Sequence, residues 1–242
     1  MTGYIEEREG LLVALLEAYC SFFTKDNLLS LIDGRSFEDI LGFLDALECI
    51  HDEEYPITEL NTLIQELTEM VKCYVDSIEE VYGYKDISCL RLSGERLTKA
   101  QVVPFFIEAE FRILLFAFFD AYDFMTKYKQ TDKVDAPLVE FNNFMSHMLR
   151  HCLEHGRGMN GDRASGHLYR STVDIYKQFI VDHKNLVYSD NNLMTELMEL
   201  RKVEMGLVGH SEMAEGKKGI IDSYKVIVDH ILHVLSPLDE VR

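Results

Sequence analysis

The sequence predicts an all-α protein, a helical bundle of about eight helices. Three observations carry this. There are only four prolines in 242 residues. Long stretches lack both Gly and Pro. Within those stretches apolar residues recur at i, i+3 and i+4, the period of an amphipathic helix. With 47% apolar side chains the chain can build a substantial core.

The elements follow in order. Residues 4–23 form a first helix, apolar at Leu11, Leu12, Leu15, Leu16, Tyr19 and Phe22, and Asp33-Gly34 separates it from the next. Ser36 caps a short helix from Phe37 to Ile50, with Asp39 as an imperfect capping-box acid. Pro56 and Thr58 open a long helix to about Tyr82, ended by Gly83. Residues 84–94 are the least helical piece. A helix from about Glu95 to Lys129 bends or restarts at Pro104, and Thr131 to Ala136 connects it to a helix from Pro137 to His155. Gly156, Gly158 and Gly161 mark a loop, and Ala164 to about Leu186 is the next helix. Ser189 or Asp190 caps another, to about Met205. Four glycines between Gly206 and Gly219 suggest a flexible connection before a last helix, Ile220 to Leu235. This divides the chain into an acidic helical region, 1–94, and a helical bundle, 95–242, which also reads as one continuous domain.

The formal charge of −18 repels nucleic acid and anionic membranes on average. It is uneven: residues 1–100 hold 8 Lys and Arg against 21 Asp and Glu. Between Pro137 and Lys177 five basic residues meet four acidic ones, with four histidines added. That is the only stretch able to welcome a phosphate backbone. The most apolar run, Val102 to Met125, carries Glu108, Glu110, Arg112, Asp120 and Asp123. Each charge costs about 2.5–3.5 kcal/mol near a bilayer centre, so a buried helix is expected and no membrane association. The acidic N-terminus does not read as a signal peptide, and the five cysteines, odd in number and without a CxxC, read as reduced apolar side chains. Both point to the cytoplasm.

The unusual residues lie on two helix faces. On Pro137–His155, the residues Glu140, Asn143, His147, Arg150, His151 and Glu154 share one side, opposite Phe141, Met145, Met148 and Cys152. On Ala164–Leu186, His167, Arg170, Ser171, Asp174 and Lys177 share another. Helices joined by a short loop pack antiparallel, so the two polar faces are expected to line a common cleft.

Three chemistries fit such a cleft. His147, His151 and His155 repeat at i, i+4 and i+8, and two imidazoles four apart can share a metal. The outer pair fans about 80° around the helix, there is no HExxH, and no acidic cluster accompanies them. Alternatively, an imidazole can take the proton of an RNA 2′-hydroxyl while a guanidinium stabilises the charged phosphorus centre, with no metal and no cofactor. Finally, Arg150, Glu154, Arg170 and Asp174 can form ion pairs across a hairpin, with His147 and His167 as interhelical hydrogen-bonding groups.

Arg150-His151-Cys152-Leu153-Glu154-His155 supplies an Arg and a His with four residues between them at a helix end, and a polar residue directly after the Arg. This resembles the signature of the HEPN superfamily (higher eukaryotes and prokaryotes nucleotide-binding). The resemblance covers about 50 residues. It implies a helical homodimer acting as a metal-independent endoribonuclease, or a nucleotide-binding component, in a prokaryotic phage-defence or toxin–antitoxin system. Arg150 would stabilise phosphate charge, His155 would act as general acid and base, and His151 would orient or assist. His147, Asn143, His167, Arg170, Asp174 and Lys177 would form the binding shell. In a second register Asn143 and His147 take the motif positions, and Asn142 stands where the Arg belongs. An Arg and a His five apart lie about 140° apart on an ideal helix, so the helix must end near Glu154, which Gly156 favours. The alternative from another class is a non-enzymatic acidic interaction protein that binds a basic partner.

Overall fold

The computed structural model describes residues 2–29, 36–82, 97–154, 156, 159–207 and 214–239. Among them are ten helices and no strand: α1 (Thr2–Leu29), α2 (Phe37–His51), α3 (Ile57–Tyr82), α4 (Lys99–Ile107), α5 (Ala109–Lys129), α6 (Asp135–Leu153), α7 (Asn160–Asp182), α8 (Lys184–Ser189), α9 (Asn191–Leu207) and α10 (Ala214–Asp239). No described helix is long and apolar enough to cross a membrane. The expected loop at 84–94 lies outside the described residues.

Several boundaries differ from the expectations. Pro104 sits inside α4, and the break falls at Glu108, whose ψ of 123° ends one helix and whose carbonyl accepts from Arg112 to start the next. The helix expected from Ala164 to Leu186 begins earlier, at Asn160, and breaks at His183. There the His183 ring donates from Nδ1 to the Phe179 carbonyl, 2.9 Å away, and competes with the helical ladder. Gly216 and Gly219 are helical, in place of the expected flexible connection. The apolar face of α10, with Ile220, Ile221 and Tyr224 buried, overrides their low propensity.

The chain forms two compact units. The first comprises residues 1–107 and 141–164. In it α1 packs against α2, α3 and α4. Leu15, Leu16, Phe43, Leu47 and Leu60 are fully enclosed, each such side chain contributing about 1.5–3 kcal/mol on burial. Tyr19 meets Phe43 edge-on at 5.3 Å. Gly42 lets α3 approach, since a Cβ there would lie 2.8 Å from Leu67 Cδ2.

Two polar anchors cross this core. Arg8, 8% exposed, donates from Nη1 to the carbonyls of Cys49 (2.8 Å) and Ile50 (2.9 Å), and from Nη2 to that of Tyr55 (2.5 Å). It closes the C-terminal end of α2, where carbonyls lack helical partners and the helix dipole favours a cation. Further along α1, the Tyr19 hydroxyl lies 2.8 Å from the Asn142 main-chain oxygen and 2.7 Å from its side-chain oxygen.

The second unit comprises residues 108–140 and 165–242. Here α10 packs against α5 and α9, and α8 against α9. Phe179 is its aromatic centre, edge-on to Phe124 at 5.2 Å and to Tyr128 at 4.8 Å. Tyr176 is buried, and its phenol is pushed up to about 12 by that burial and by the charges of Asp120, Asp229 and Asp222.

Candidate functional site

In the first unit, the end of α6 and the start of α7 assemble a polar cluster. α6 ends at Leu153, and Gly156 takes a left-handed φ of 72° while its N–H donates to the His151 carbonyl at 2.9 Å. Glycine adopts that conformation without a Cβ penalty. The His151 ring lies against this turn, its Nε2 3.7 Å from where a Gly156 Cβ would sit. His147, Arg150, His151 and Glu154 are spaced three and four apart, so they form one continuous patch on α6.

Across this patch runs a hydrogen-bonded chain. His147 Nδ1 lies 3.1 Å from Asn160 Oδ1, and Asn160 Nδ2 donates to Glu154 Oε2 at 2.8 Å. The chain fixes a tautomer. An ionised carboxylate only accepts, so the amide nitrogen of Asn160 must face Glu154. Its oxygen then faces His147, whose Nδ1 therefore carries the proton. In the neutral ring Nε2 is then the nitrogen without a proton.

Arg150 is exposed, and among the described residues no hydrogen bond or ion pair engages its side chain. Glu154 holds Asn160. His155 lies outside the described residues, and with it the Arg150–His155 pairing. Cys152 is a core thiol, 1% exposed and pushed up to about 12 by burial, which removes it as a nucleophile. Asn143 is half-buried, its carbonyl accepting from the Ser146 hydroxyl at 2.8 Å. Asn142, the first position of the second register, is 3% exposed and held by Tyr19, so it faces the core.

The remaining predicted residues belong to the second unit. His167 Nδ1 lies 2.7 Å from Glu140 Oε2. Arg170 Nη2 approaches the same nitrogen to 3.1 Å, and its Nη1 lies 3.4 Å from where a Gly166 Cβ would sit. Asp174 is exposed and borders, with Glu140, Ser171 and Gln178, a cavity of about 470 Å³.

Lys177 turns to a different network. Its Nζ donates to Glu204 Oε1 at 2.6 Å, lies 3.5 Å from Asp174 Oδ1, and sits 5.7 Å from the Tyr224 ring centre. Glu204 also accepts from the Tyr224 hydroxyl at 2.5 Å and pairs with Arg201. Burial pushes the Glu204 carboxyl up, but the hydrogen bonds from Lys177 and Tyr224 and the charges of Lys177 and Arg201 outweigh it, and the group is held below its ordinary range. Burial, then the bond to Glu204, pushes the Tyr224 phenol up. This is a cross-brace between α7, α9 and α10, and Lys177 serves packing there.

Asn160 was missed by the sequence reading, and Glu140, placed on the polar face there, was not given its role as the partner of His167. Asn160 falls in what reads as a glycine loop, and only its position as the first residue of α7 turns its amide toward His147. Among the described residues no group of three or more His, Cys, Asp or Glu side chains is placed to hold a metal ion. Scans against protein-family models, curated proteins and solved structures gave no match.

Proposed function

We propose that the α6–α7 turn is an RNA-phosphate site, and that the protein is a HEPN-like, metal-independent endoribonuclease acting as a homodimer in a prokaryotic defence or toxin–antitoxin system. The observation that carries this reading is the His147–Asn160–Glu154 chain beside Arg150. An exposed guanidinium with no partner among the described residues, three residues from an oriented imidazole, supplies a phosphate ligand and a proton acceptor on one helix face. In this reading Arg150 binds a phosphate oxygen and stabilises the charge that builds on phosphorus, a contribution of several kcal/mol when such donors are fixed in advance. His147 Nε2 takes the 2′-hydroxyl proton, and His155 donates to the leaving 5′-oxygen. His151, packed under the Gly156 turn, holds the helix end in shape. The products are a 2′,3′-cyclic phosphate and a 5′-hydroxyl.

The test is cleavage of a labelled RNA in excess chelator. Cyclic-phosphate products that fall by about 10²-fold or more in His155→Ala support the reading. Undiminished cleavage by His155→Ala, or cleavage abolished by the chelator, contradicts it.

A further inference from the structure

A groove between α9 and α10, in the second unit, has no part in the proposed phosphate chemistry. It encloses about 680 Å³. Leu200, Ile220 and Ile227 form its floor, while Val203 (57% exposed) and Val226 (63%) stand open to solvent at its lips. The α10 wall is small: Gly216, Gly219 and Ser223 line it at i, i+3 and i+7. The α9 wall carries the only charges in the lining, Glu196 and Glu199, one turn apart. Glu199 pairs with Lys202 at 2.5 Å, and Glu196 has no ion pair among the described residues.

Gly219 is the informative residue. It is helical, its φ needs no glycine, and a Cβ there would meet nothing within 4 Å. Glycine inside a helix costs about 0.8–1 kcal/mol relative to alanine. Among the described residues no contact at that position uses the missing Cβ. The physical use of a missing Cβ at an open position is the close approach of another backbone. An apolar floor, a small wall and an acidic wall, about three turns long, match a helix presenting an apolar stripe flanked by Lys or Arg. We infer that the α9–α10 groove docks a basic amphipathic helix of a partner protein, with its backbone against Gly219 and a cation on Glu196.

The test uses the full chain and two fluorescein-labelled peptides of about four helical turns, one of Leu and Lys in amphipathic order, the other with Glu in place of Lys. Binding is read by fluorescence anisotropy. The Leu/Lys peptide is expected to bind saturably. Gly219→Leu, which fills the groove without changing charge, is expected to weaken it by at least about tenfold while leaving Tm unchanged or higher. Glu196→Gln is expected to weaken it by about threefold. Equal binding by Gly219→Leu would reduce the effect to bulk charge and overturn the proposal. So would equal binding of the Leu/Glu peptide, or no binding of either. A wild-type dimer in sedimentation that Gly219→Leu dissolves would also overturn it, by making the occupant a second copy of the chain.

Discussion

The imidazole of His147 and the amide of Asn160 share a hydrogen bond of 3.1 Å between Nδ1 and Oδ1, and Glu154 fixes which end of the amide faces the ring. A single side chain therefore orients the ring of His147, three residues from Arg150 on α6.

Asn160→Ala is expected to release that tautomer. Long-range ¹H–¹⁵N correlation should show His147 as the Nδ1–H form in the wild type and as a tautomer mixture in the variant. RNA cleavage should fall by about 10–100-fold, the usual effect of losing a partner that orients a functional histidine. An unchanged tautomer signature would remove Asn160 from the account.

Gly156→Ala places a Cβ on a residue with a φ of 72°. The left-handed conformation costs about 1–2 kcal/mol in an L-residue. The expected outcome is a loss of that size in urea denaturation, with the His151 resonances shifted, because its ring packs on that turn.

Arg8→Met should destabilise the first unit by about 2–4 kcal/mol, since one buried and two part-buried carbonyls lose a charged donor together. Arg8→Lys should recover only part of this, because an ammonium cannot reproduce the guanidinium fork. Chemical denaturation of the three proteins checks the ranking.

Acid should weaken the second unit. The folded Glu204 carboxyl lies below its ordinary value. A group depressed on folding binds its proton more readily when unfolded, so its stabilisation is complete above the unfolded value, about 4.3, and is lost as pH falls through the folded one. Asp182 behaves alike, lowered first by the hydrogen bond from Lys129. Tyr224→Phe removes one bond that holds Glu204 down. It should lower stability at neutral pH by about 1.5–3 kcal/mol and flatten the acid-side loss, as read from Tm against pH.

The fold class was legible because each helix announces its own period. Ser36 accepts from the Asp39 N–H at 3.4 Å, as the cap pattern predicts, and the apolar stripe of α6 lands in the core. Periodicity is a local signal, and the decisive polar contacts are not local. Tyr19 reaches Asn142 across 123 residues, and Arg8 reaches α2 across 41 and 42. Nothing near Arg8 in sequence distinguishes it from a surface arginine. The same limit hid Asn160, which reads as loop until α7 is seen to begin there. Lys177 stays within 3.5 Å of Asp174, as its spacing predicts, while its reach also carries it to Glu204 on α9. The glycines of α10 misled for a different reason: a buried apolar face held helical what propensity alone would unwind.

Arg150 and His147 are proposed as a phosphate-cleaving pair that works through the substrate's own 2′-hydroxyl. Its most direct test is a single-turnover assay in chelator. An RNA and the same strand carrying 2′-deoxyriboses are compared, with wild type and Arg150→Ala. The account predicts cyclic-phosphate products from the RNA alone, reduced by about 10²-fold in Arg150→Ala. Cleavage of the deoxy strand, equal rates in Arg150→Ala, or no cleavage by the wild type would contradict it.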